Sequence, residues 1–332
     1  MSPIPASLVP KYPTPECPMR WLAVFLFALT FSTINAGEKD KKSPDEKAKI
    51  DNALLVVPPT GGKEVKLVDW RFTLGTRRLA IDGETVTKTA AGTEYLEFRD
   101  EKSTTYQIGI LTLVPISSLK KITYDREKKA VAVETLAAGG KTETLVGTTK
   151  FQGINKLTLE AEALFDGLGS ATVKFQGGLE KIGLQSIAFQ SPKPAAEPNG
   201  AAFIVESEEG KEKTIIKHSV QDLQPLWIVN GTYKRLPDIS FKKADKKTED
   251  INFAKIASLK LVPAQKGKGQ PYDFLVTLSD GTSQTLTMQT SVELDKKKSM
   301  PFAGLIGRTS VGYKLFPPHT IKALTRVDVK KE

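Results

Sequence analysis

The chain has 332 residues, 39% of them hydrophobic, with 48 Lys and Arg against 38 Asp and Glu. This length suits one large domain or two ordinary ones, and the apolar fraction is sufficient for a packed core, which excludes a wholly disordered chain. One cysteine and two histidines exclude an internal disulfide framework and a cysteine-rich zinc site, and they leave little material for imidazole chemistry.

The N-terminal region has the features of a secretory signal peptide, predicted for residues 1–36. Arg20 precedes an unbroken apolar run over residues 21–31, and a short stretch ending at Ala36 leads into charged sequence. The run is shorter than the roughly 20 apolar residues that span a bilayer, so we predict cleavage after Ala36 rather than a retained anchor. The mature protein would be extracytoplasmic, either periplasmic or secreted, without an integral membrane span. It would also be free of cysteine, because Cys17 precedes the cleavage point.

Composition divides the rest of the chain into segments. Residues 37–64 are rich in Lys, Asp and Glu and end in a Pro-Gly cluster, which predicts a charged, flexible lead-in. Residues 191–200 contain three prolines in seven positions, which cannot enter a sheet interior and therefore predict a linker. The segments on either side of it, residues 65–190 and 201–332, are predicted as two β modules.

Both modules are predicted to be antiparallel. Apolar and polar residues alternate over short runs, with examples at residues 131–134, 157–161, 171–175 and 274–278. No long segment has the 3.6-residue period of an amphipathic helix. Gly139-Gly140 and Asp280-Gly281 lie between such runs and predict hairpin turns, because these residue types tolerate positive φ. The isolated glycines Gly304 and Gly307 are also interpreted as turn residues.

The two modules resemble each other in sequence. Ile116-Ser-Ser-Leu119-Lys120 parallels Ile256-Ala-Ser-Leu259-Lys260, and the strands around the following turns keep nearly the same offset. Shared spacing is stronger evidence than shared composition, so we predict a degenerate tandem repeat. Short strands with glycine turns suit a small barrel or a compact sandwich. The predicted fold is therefore all-β, with two related antiparallel modules in tandem, joined by the proline-rich linker.

No residue pattern predicts a catalytic, cofactor or metal site. Ser117 and Ser118 each stand three residues before a lysine, but the companion motifs of serine–lysine enzymes are missing. His218 and His319 are about a hundred residues apart with no cysteine to complete a zinc site, which favours surface or turn positions. One mixed-charge loop contains the carboxylates Asp238, Asp245, Glu249 and Asp250. The loop lacks the ligand spacing of a calcium-binding loop. Sequence spacing does not exclude a glycosidase, whose two carboxylates lie on opposite sides of a cleft.

Aromatic and basic residues are the remaining candidates for binding. The aromatic side chains available to stack on sugars are Trp70, Tyr95, Trp227, Tyr233, Tyr313 and Phe316. Trp70 and Trp227 stand in apolar, strand-like runs, which favours core positions for both. Lysines in loops and tails supply most of the positive charge, whereas nucleic-acid readers favour arginine with interleaved aromatics. We therefore expect no nucleic-acid partner.

These observations favour an exported, non-catalytic β-module protein for binding, scaffolding or envelope association, with no cofactor. One alternative is an extracytoplasmic carboxylate-based hydrolase of a polymer. The other is a lysine-rich adhesin for an anionic cell-envelope polymer or polysaccharide.

Translation is predicted to start at Met19. Residues 1–18 contain six prolines, which is unusual ahead of a signal peptide, whereas a start at Met19 puts Arg20 directly before the apolar run. N-terminal sequencing of the unprocessed product should begin at Met19, and sequencing of the exported product should begin at Gly37. An unprocessed product that begins at Met1 would contradict the first expectation, and an exported product that retains residues 21–31 would contradict the second.

Overall fold

Strands make up nearly all regular structure in the computed structural model, which describes residues 53–57, 64–81, 85–99, 109–148, 157–165, 169–176, 184–209, 214–263, 272–295 and 298–327. The all-β prediction is confirmed. Within these ranges no helix has the length and hydropathy needed to cross a membrane. The predicted signal peptide with its cleavage residue Ala36 lies outside the described residues.

The strands pair antiparallel throughout the described ranges, and several are preceded by short 3-10 turns. In chain order they are β1 (Leu54–Val57), β2 (Val65–Leu74), β3 (Thr76–Ile81), β4 (Thr85–Lys88), β5 (Thr93–Arg99), β6 (Leu111–Pro115), β7 (Leu119–Asp125), β8 (Ala130–Leu136), β9 (Thr142–Thr148), β10 (Thr158–Phe165), β11 (Gly169–Gln176), β12 (Ser186–Phe189), β13 (Ala202–Glu209), β14 (Thr214–Val229), β15 (Thr232–Arg235), β16 (Asp238–Lys242), β17 (Thr248–Asn252), β18 (Ile256–Leu261), β19 (Asp273–Leu278), β20 (Ser283–Met288), β21 (Ser291–Asp295), β22 (Lys298–Thr309), β23 (Gly312–Phe316) and β24 (Ile321–Val327).

The same order of eight strands occurs twice along the chain. The first sheet has the order β11-β10-β2-β1-β12-β7-β8-β9. Within the larger second sheet, the pairings β23-β22-β14-β13-β24-β18-β19-β20 follow the same plan. We call β1–β12 the first repeat and β13–β24 the second repeat. The similarity predicted from spacing is therefore also present in the strand topology.

Strand pairing changes one part of the predicted alignment by three residues. Leu119 and Ile256 each begin a strand directly after a 3-10 turn, and each stands just before a break in register with the next strand. Leu119 therefore corresponds to Ile256 and not to Leu259. The sequence pattern is ambiguous here because buried residues recur three positions apart on both strands.

The two predicted glycine turns are confirmed. Gly139 and Gly140, with φ of 73° and 76°, connect β8 to β9, and Gly281, with φ of 88°, connects β19 to β20. The same pair of backbone hydrogen bonds closes both turns. Glycine is suited to these positions because it adopts positive φ without a steric cost.

A closed eight-stranded barrel joins the two repeats. Around the barrel the strands are β14, β15, β4, β3, β5, β6, β23 and β22, and β22 pairs with β14 to close it. Each repeat contributes four strands, and the repeats meet at two seams, β15 with β4 and β6 with β23. The barrel interior is filled by the buried side chains of Leu79, Val86, Tyr95, Leu111, Leu113, Leu226 and Ile306. The two parts of the chain therefore share a continuous sheet.

Two segments next to the predicted modules also contact the sheets. Leu54–Val57 fall inside the predicted lead-in but form β1 between β2 and β12, so the first repeat begins before residue 65. Residues 191–200 form no strand, in keeping with their prolines. They nevertheless bond to the first repeat, since the Lys193 N–H donates to the Ser117 carbonyl oxygen at 2.7 Å.

Gly304 and Gly307 lie inside β22, so the prediction that they occupy turns is wrong. A Cβ on Gly304 would overlap the carbonyl oxygen of Phe316 on β23. At the β6–β23 seam, a Cβ on Gly312 would likewise overlap the carbonyl oxygen of Leu113. Glycine inside a strand can mark a close approach of another backbone, and here such approaches occur within the barrel wall.

We expect Gly312→Ala to destabilise the protein by about 2–4 kcal/mol, because it adds a clash at the seam to the strain of a positive φ. Gly140→Ala is a matched control, since Gly140 also has positive φ but no atom lies within 4 Å of its added Cβ. The control should cost only about 1 kcal/mol. Urea unfolding of both variants measures the difference, and equal losses would contradict a steric role for the seam.

Candidate functional site

Each repeat bends at an aspartate in a β-bulge. Asp69 in β2 and Asp222 in β14 both have φ of 49°, and the pairing of each strand with its neighbour changes register there. The positions are equivalent. Asp69 stands two residues after Leu67, which pairs with β1, and Asp222 stands two residues after Val220, which pairs with β13. Asp tolerates this left-handed backbone better than most residues, at a cost of about 1–2 kcal/mol. The same local strain therefore occurs at the same place twice.

A cavity lies beside each bulge. The first cavity has a volume of about 600 Å³ and the second about 610 Å³. Six equivalent positions line both, namely Leu54 and Phe203, Asp69 and Asp222, Trp70 and Leu223, Ile116 and Phe253, Ser117 and Ala254, and Phe189 and Arg326. Cavities of this size with mixed polar and apolar walls suit small organic ligands.

The first cavity has an aromatic wall. Trp70 is half-buried and contacts Phe72 and Phe189 edge to face, with ring centroids 5.4 and 5.6 Å apart. The polar residues that line this cavity are Asp69, Ser117, Gln190, Ser191 and Lys193. The described part of its lining therefore contains one acidic and one basic side chain beside an apolar ring face.

The second cavity has an ion pair between a buried arginine and a half-buried aspartate in its wall. The Arg235 side chain is only 3% exposed, and its Nη2 donates to Asp222 Oδ2 at 2.8 Å and to the Asp222 carbonyl oxygen at 2.9 Å. Gln224 Nε2 donates to the other carboxylate oxygen, Oδ1, at 2.9 Å. Charge-assisted hydrogen bonds of this kind hold both the carboxylate and the bulge backbone in place.

Arg326 takes the place in the second cavity that Phe189 has in the first. Phe189 pairs with Leu54 on β1, and Arg326 pairs with the equivalent residue Phe203 on β13. Nη1 of Arg326 donates to the carbonyl oxygen of Ala254 at 2.7 Å, which anchors the guanidinium to the 3-10 turn. Lys234 lines the same cavity. Among the described residues, the lining of the second cavity therefore has three basic side chains and one carboxylate.

Three of the six aromatic residues predicted as candidates are buried, and the other three are half-buried. Trp227 and Phe316, 1% and 0% exposed, belong to the core of the second repeat, which confirms the predicted core position of Trp227. The tyrosines Tyr95, Tyr233 and Tyr313 belong to the barrel cluster. Trp70 packs against the first core but also lines a cavity, a double position that strand alternation alone does not show.

The serine–lysine spacing is not a catalytic pair. Ser118 is buried and donates its hydroxyl hydrogen to the Pro115 carbonyl oxygen at 2.9 Å, while Lys120 Nζ donates to Thr142 Oγ1 at 2.7 Å. A hydroxyl that already donates to a carbonyl has no base to activate it. Ser117 is exposed and lines the first cavity.

The structure contains a buried serine–histidine contact that the sequence does not predict. Ser207 Oγ lies 2.8 Å from His218 Nε2, and Lys314 Nζ lies 3.1 Å from His218 Nδ1. A lysine ammonium can only donate, so Nδ1 accepts and Nε2 carries the hydrogen that faces the serine. A general base needs the opposite tautomer, so this histidine orients the serine without activating it. The surface or turn position predicted for His218 is wrong, whereas His319 lies in the predicted kind of turn.

The four loop carboxylates Asp238, Asp245, Glu249 and Asp250 all belong to the β16–β17 hairpin. Asp245 accepts a backbone N–H within the turn, Glu249 pairs with Lys243 at 2.9 Å, and Asp250 accepts from Ser240 Oγ. They stabilise the hairpin and are not among the described residues that line either cavity. In the same described ranges no group of three or more His, Cys, Asp or Glu could hold a metal.

No protein-family model, curated protein or solved structure matches the chain. The two cavities and the chemistry of their walls are therefore the basis of the functional proposal.

Burial lowers the pKa of His319 below its usual value. As the pH falls to about 6.5, histidine in the unfolded chain begins to bind a proton, whereas the imidazole of His319 in the folded protein stays neutral. The stability contributed by neutral His319 is complete above that pH and is lost as the pH falls toward the folded pKa. Between about pH 7.5 and about pH 5 we expect wild type to lose more stability than His319→Gln, measured as the urea midpoint. Parallel pH profiles for the two proteins would contradict this.

Proposed function

We propose that the chain is an exported, non-catalytic binding protein whose two equivalent cavities hold small organic ligands. One observation carries the proposal, the repetition of a strained aspartate bulge beside a cavity of the same size in both repeats. Strained non-glycine residues persist only where the surrounding structure holds them, and they cluster at ligand sites. A packing accident would not be expected at equivalent positions of two diverged repeats.

The composition of the cavity walls supports binding of organic molecules. Ligand sites combine apolar or aromatic walls with a few polar groups that set orientation. In the first cavity, Trp70 and Phe189 supply the apolar wall, and Asp69 and Lys193 supply charges of both signs. A ring with hydroxyl groups, such as a sugar unit, suits this combination of a flat apolar face and polar partners.

The carboxylate distribution favours binding over hydrolysis. A two-carboxylate hydrolase needs two carboxyl groups that flank the bond it cleaves. Among the described residues, each cavity is lined by a single acidic side chain, Asp69 or Asp222. The Asp222 carboxylate is moreover held by Arg235 and Gln224.

Two equivalent exposed positions allow each cavity to be blocked separately. Ser117 and Ala254 occupy the middle of corresponding 3-10 turns and line the first and second cavities. Ser117→Phe and Ala254→Phe should fill one cavity each with an aromatic ring. Because both side chains are exposed, the variants should keep the fold, which circular dichroism and urea unfolding check.

We expect wild type to bind N-phenyl-1-naphthylamine, a neutral apolar fluorophore, at two sites per chain in a stoichiometric fluorescence titration. Each blocking variant should retain one site, and the double variant none. Thr144→Phe, at an exposed position on β9 outside both cavities, is the matched control and should retain both sites. A site count that the blocking variants leave unchanged would refute the proposal.

A further inference from the structure

We infer that the second cavity binds ligands that bear an acidic oxygen group, such as a carboxylate, on a partly apolar body. This inference rests on the proposed function, because it assigns a ligand class to one of the two cavities. Four features of the second cavity lead to it.

The first feature is the replacement of an aromatic side chain by a cation at an equivalent position. Phe189 contributes to the aromatic wall of the first cavity, and Arg326 stands at the same register in the second. The guanidinium is tied to the Ala254 carbonyl oxygen through Nη1, which positions the group without neutralising it. A guanidinium presents several N–H donors in one plane, a geometry that matches carboxylate and phosphate oxygens.

The second feature is an excess of positive charge. Asp222 is the one carboxylate among the described residues that line the second cavity, and it is compensated by Arg235 at 2.8 Å. Arg326 and Lys234 add two further cations, and in the described part of the chain neither of them is in an ion pair with a carboxylate. The cavity therefore has positive charge for which the described protein residues supply no counter-ion.

The third feature is the apolar floor behind these charges. Phe203 and Phe253 are 3% and 4% exposed, and their rings stack with centroids 5.4 Å apart. Leu223, Pro225, Leu236 and Pro237 complete the apolar lining. Charges beside low-dielectric walls act more strongly than charges on an open surface, so an anion is attracted here more than at a solvated lysine. The apolar floor in turn suits a ligand body rather than a bare ion.

The fourth feature is the contrast with the first cavity, whose described lining contains one acidic side chain, Asp69, and one basic side chain, Lys193. The two repeats therefore share a cavity but differ in its charge. We expect selectivity for anions in the second cavity and not in the first.

The test compares two fluorophores in the Ser117→Phe protein, where the second cavity remains open. The anionic probe is 1-anilinonaphthalene-8-sulfonate, and the neutral probe is N-phenyl-1-naphthylamine, which has the same ring system without the sulfonate. Replacing both free cations, in Lys234→Gln/Arg326→Gln, should weaken binding of the anionic probe by about tenfold or more while leaving the neutral probe nearly unchanged. Added salt should weaken only the anionic probe.

The matched control is Lys242→Gln/Lys260→Gln, which removes the same charge at exposed strand positions outside both cavities. It should leave the affinity for both probes nearly unchanged, which separates a local site from the general positive charge of the protein. Benzoate should displace the anionic probe and benzamide should not, and equal displacement by both or by neither would count against the inference.

The outcomes separate this inference from the proposed function. If both probes bind and both ignore the Lys234→Gln/Arg326→Gln change, the cavity binds ligands without selecting anions, and only the present inference fails. If neither probe binds to the Ser117→Phe protein while Ala254→Phe still binds the neutral probe, the inference and the two-cavity proposal both fail for the second repeat.

Discussion

Backbone pairing across the two barrel seams, β15 with β4 and β6 with β23, holds both repeats in one continuous sheet. Eight strands of the first repeat form a sheet of their own, whereas its other four strands pair with strands of the second repeat and close one barrel with them. Closure requires backbones to approach where a side chain would not fit, and glycines such as Gly304 and Gly312 occupy these points. Barrel closure leaves no sheet edge along those strands, which removes a common route to aggregation.

The two repeats share the backbone geometry around their cavities but differ in the side chains that line them. The aspartate bulge, the 3-10 turn and the cavity between them recur at matching positions. The first repeat has Trp70 and Phe189 where the second repeat has Leu223 and Arg326. Duplicated backbone geometry with altered wall chemistry is a means of obtaining two ligand sites of different selectivity on one chain.

Local sequence chemistry predicted the parts of the fold that depend on neighbours in the chain. The Gly-Gly and Asp-Gly pairs predicted both hairpins correctly, because the ability of glycine to adopt positive φ is a property of the residue itself. Asn230-Gly231, with φ of 50° and 78°, is a further turn of this kind that the same rule identifies, between β14 and β15. Strand β1 escaped prediction because four apolar residues stand between charged and turn-forming segments, and only pairing with β2 and β12 makes them a strand. The three-residue error in the repeat alignment arose because buried positions recur with that same spacing.

Sequence alone predicted the all-β class, the glycine hairpins and the presence of a repeated pattern, because these follow from alternation and turn chemistry over short distances. Tertiary structure decided which residues meet. Ser207 and His218 are brought together by strand pairing, and Arg326 reaches the cavity beside Asp222 across about a hundred residues of chain. The register between strands that are distant in sequence determines which of these side chains lie next to each other. Register depends on burial and hydrogen bonding summed over the whole sheet, which no short segment of sequence encodes.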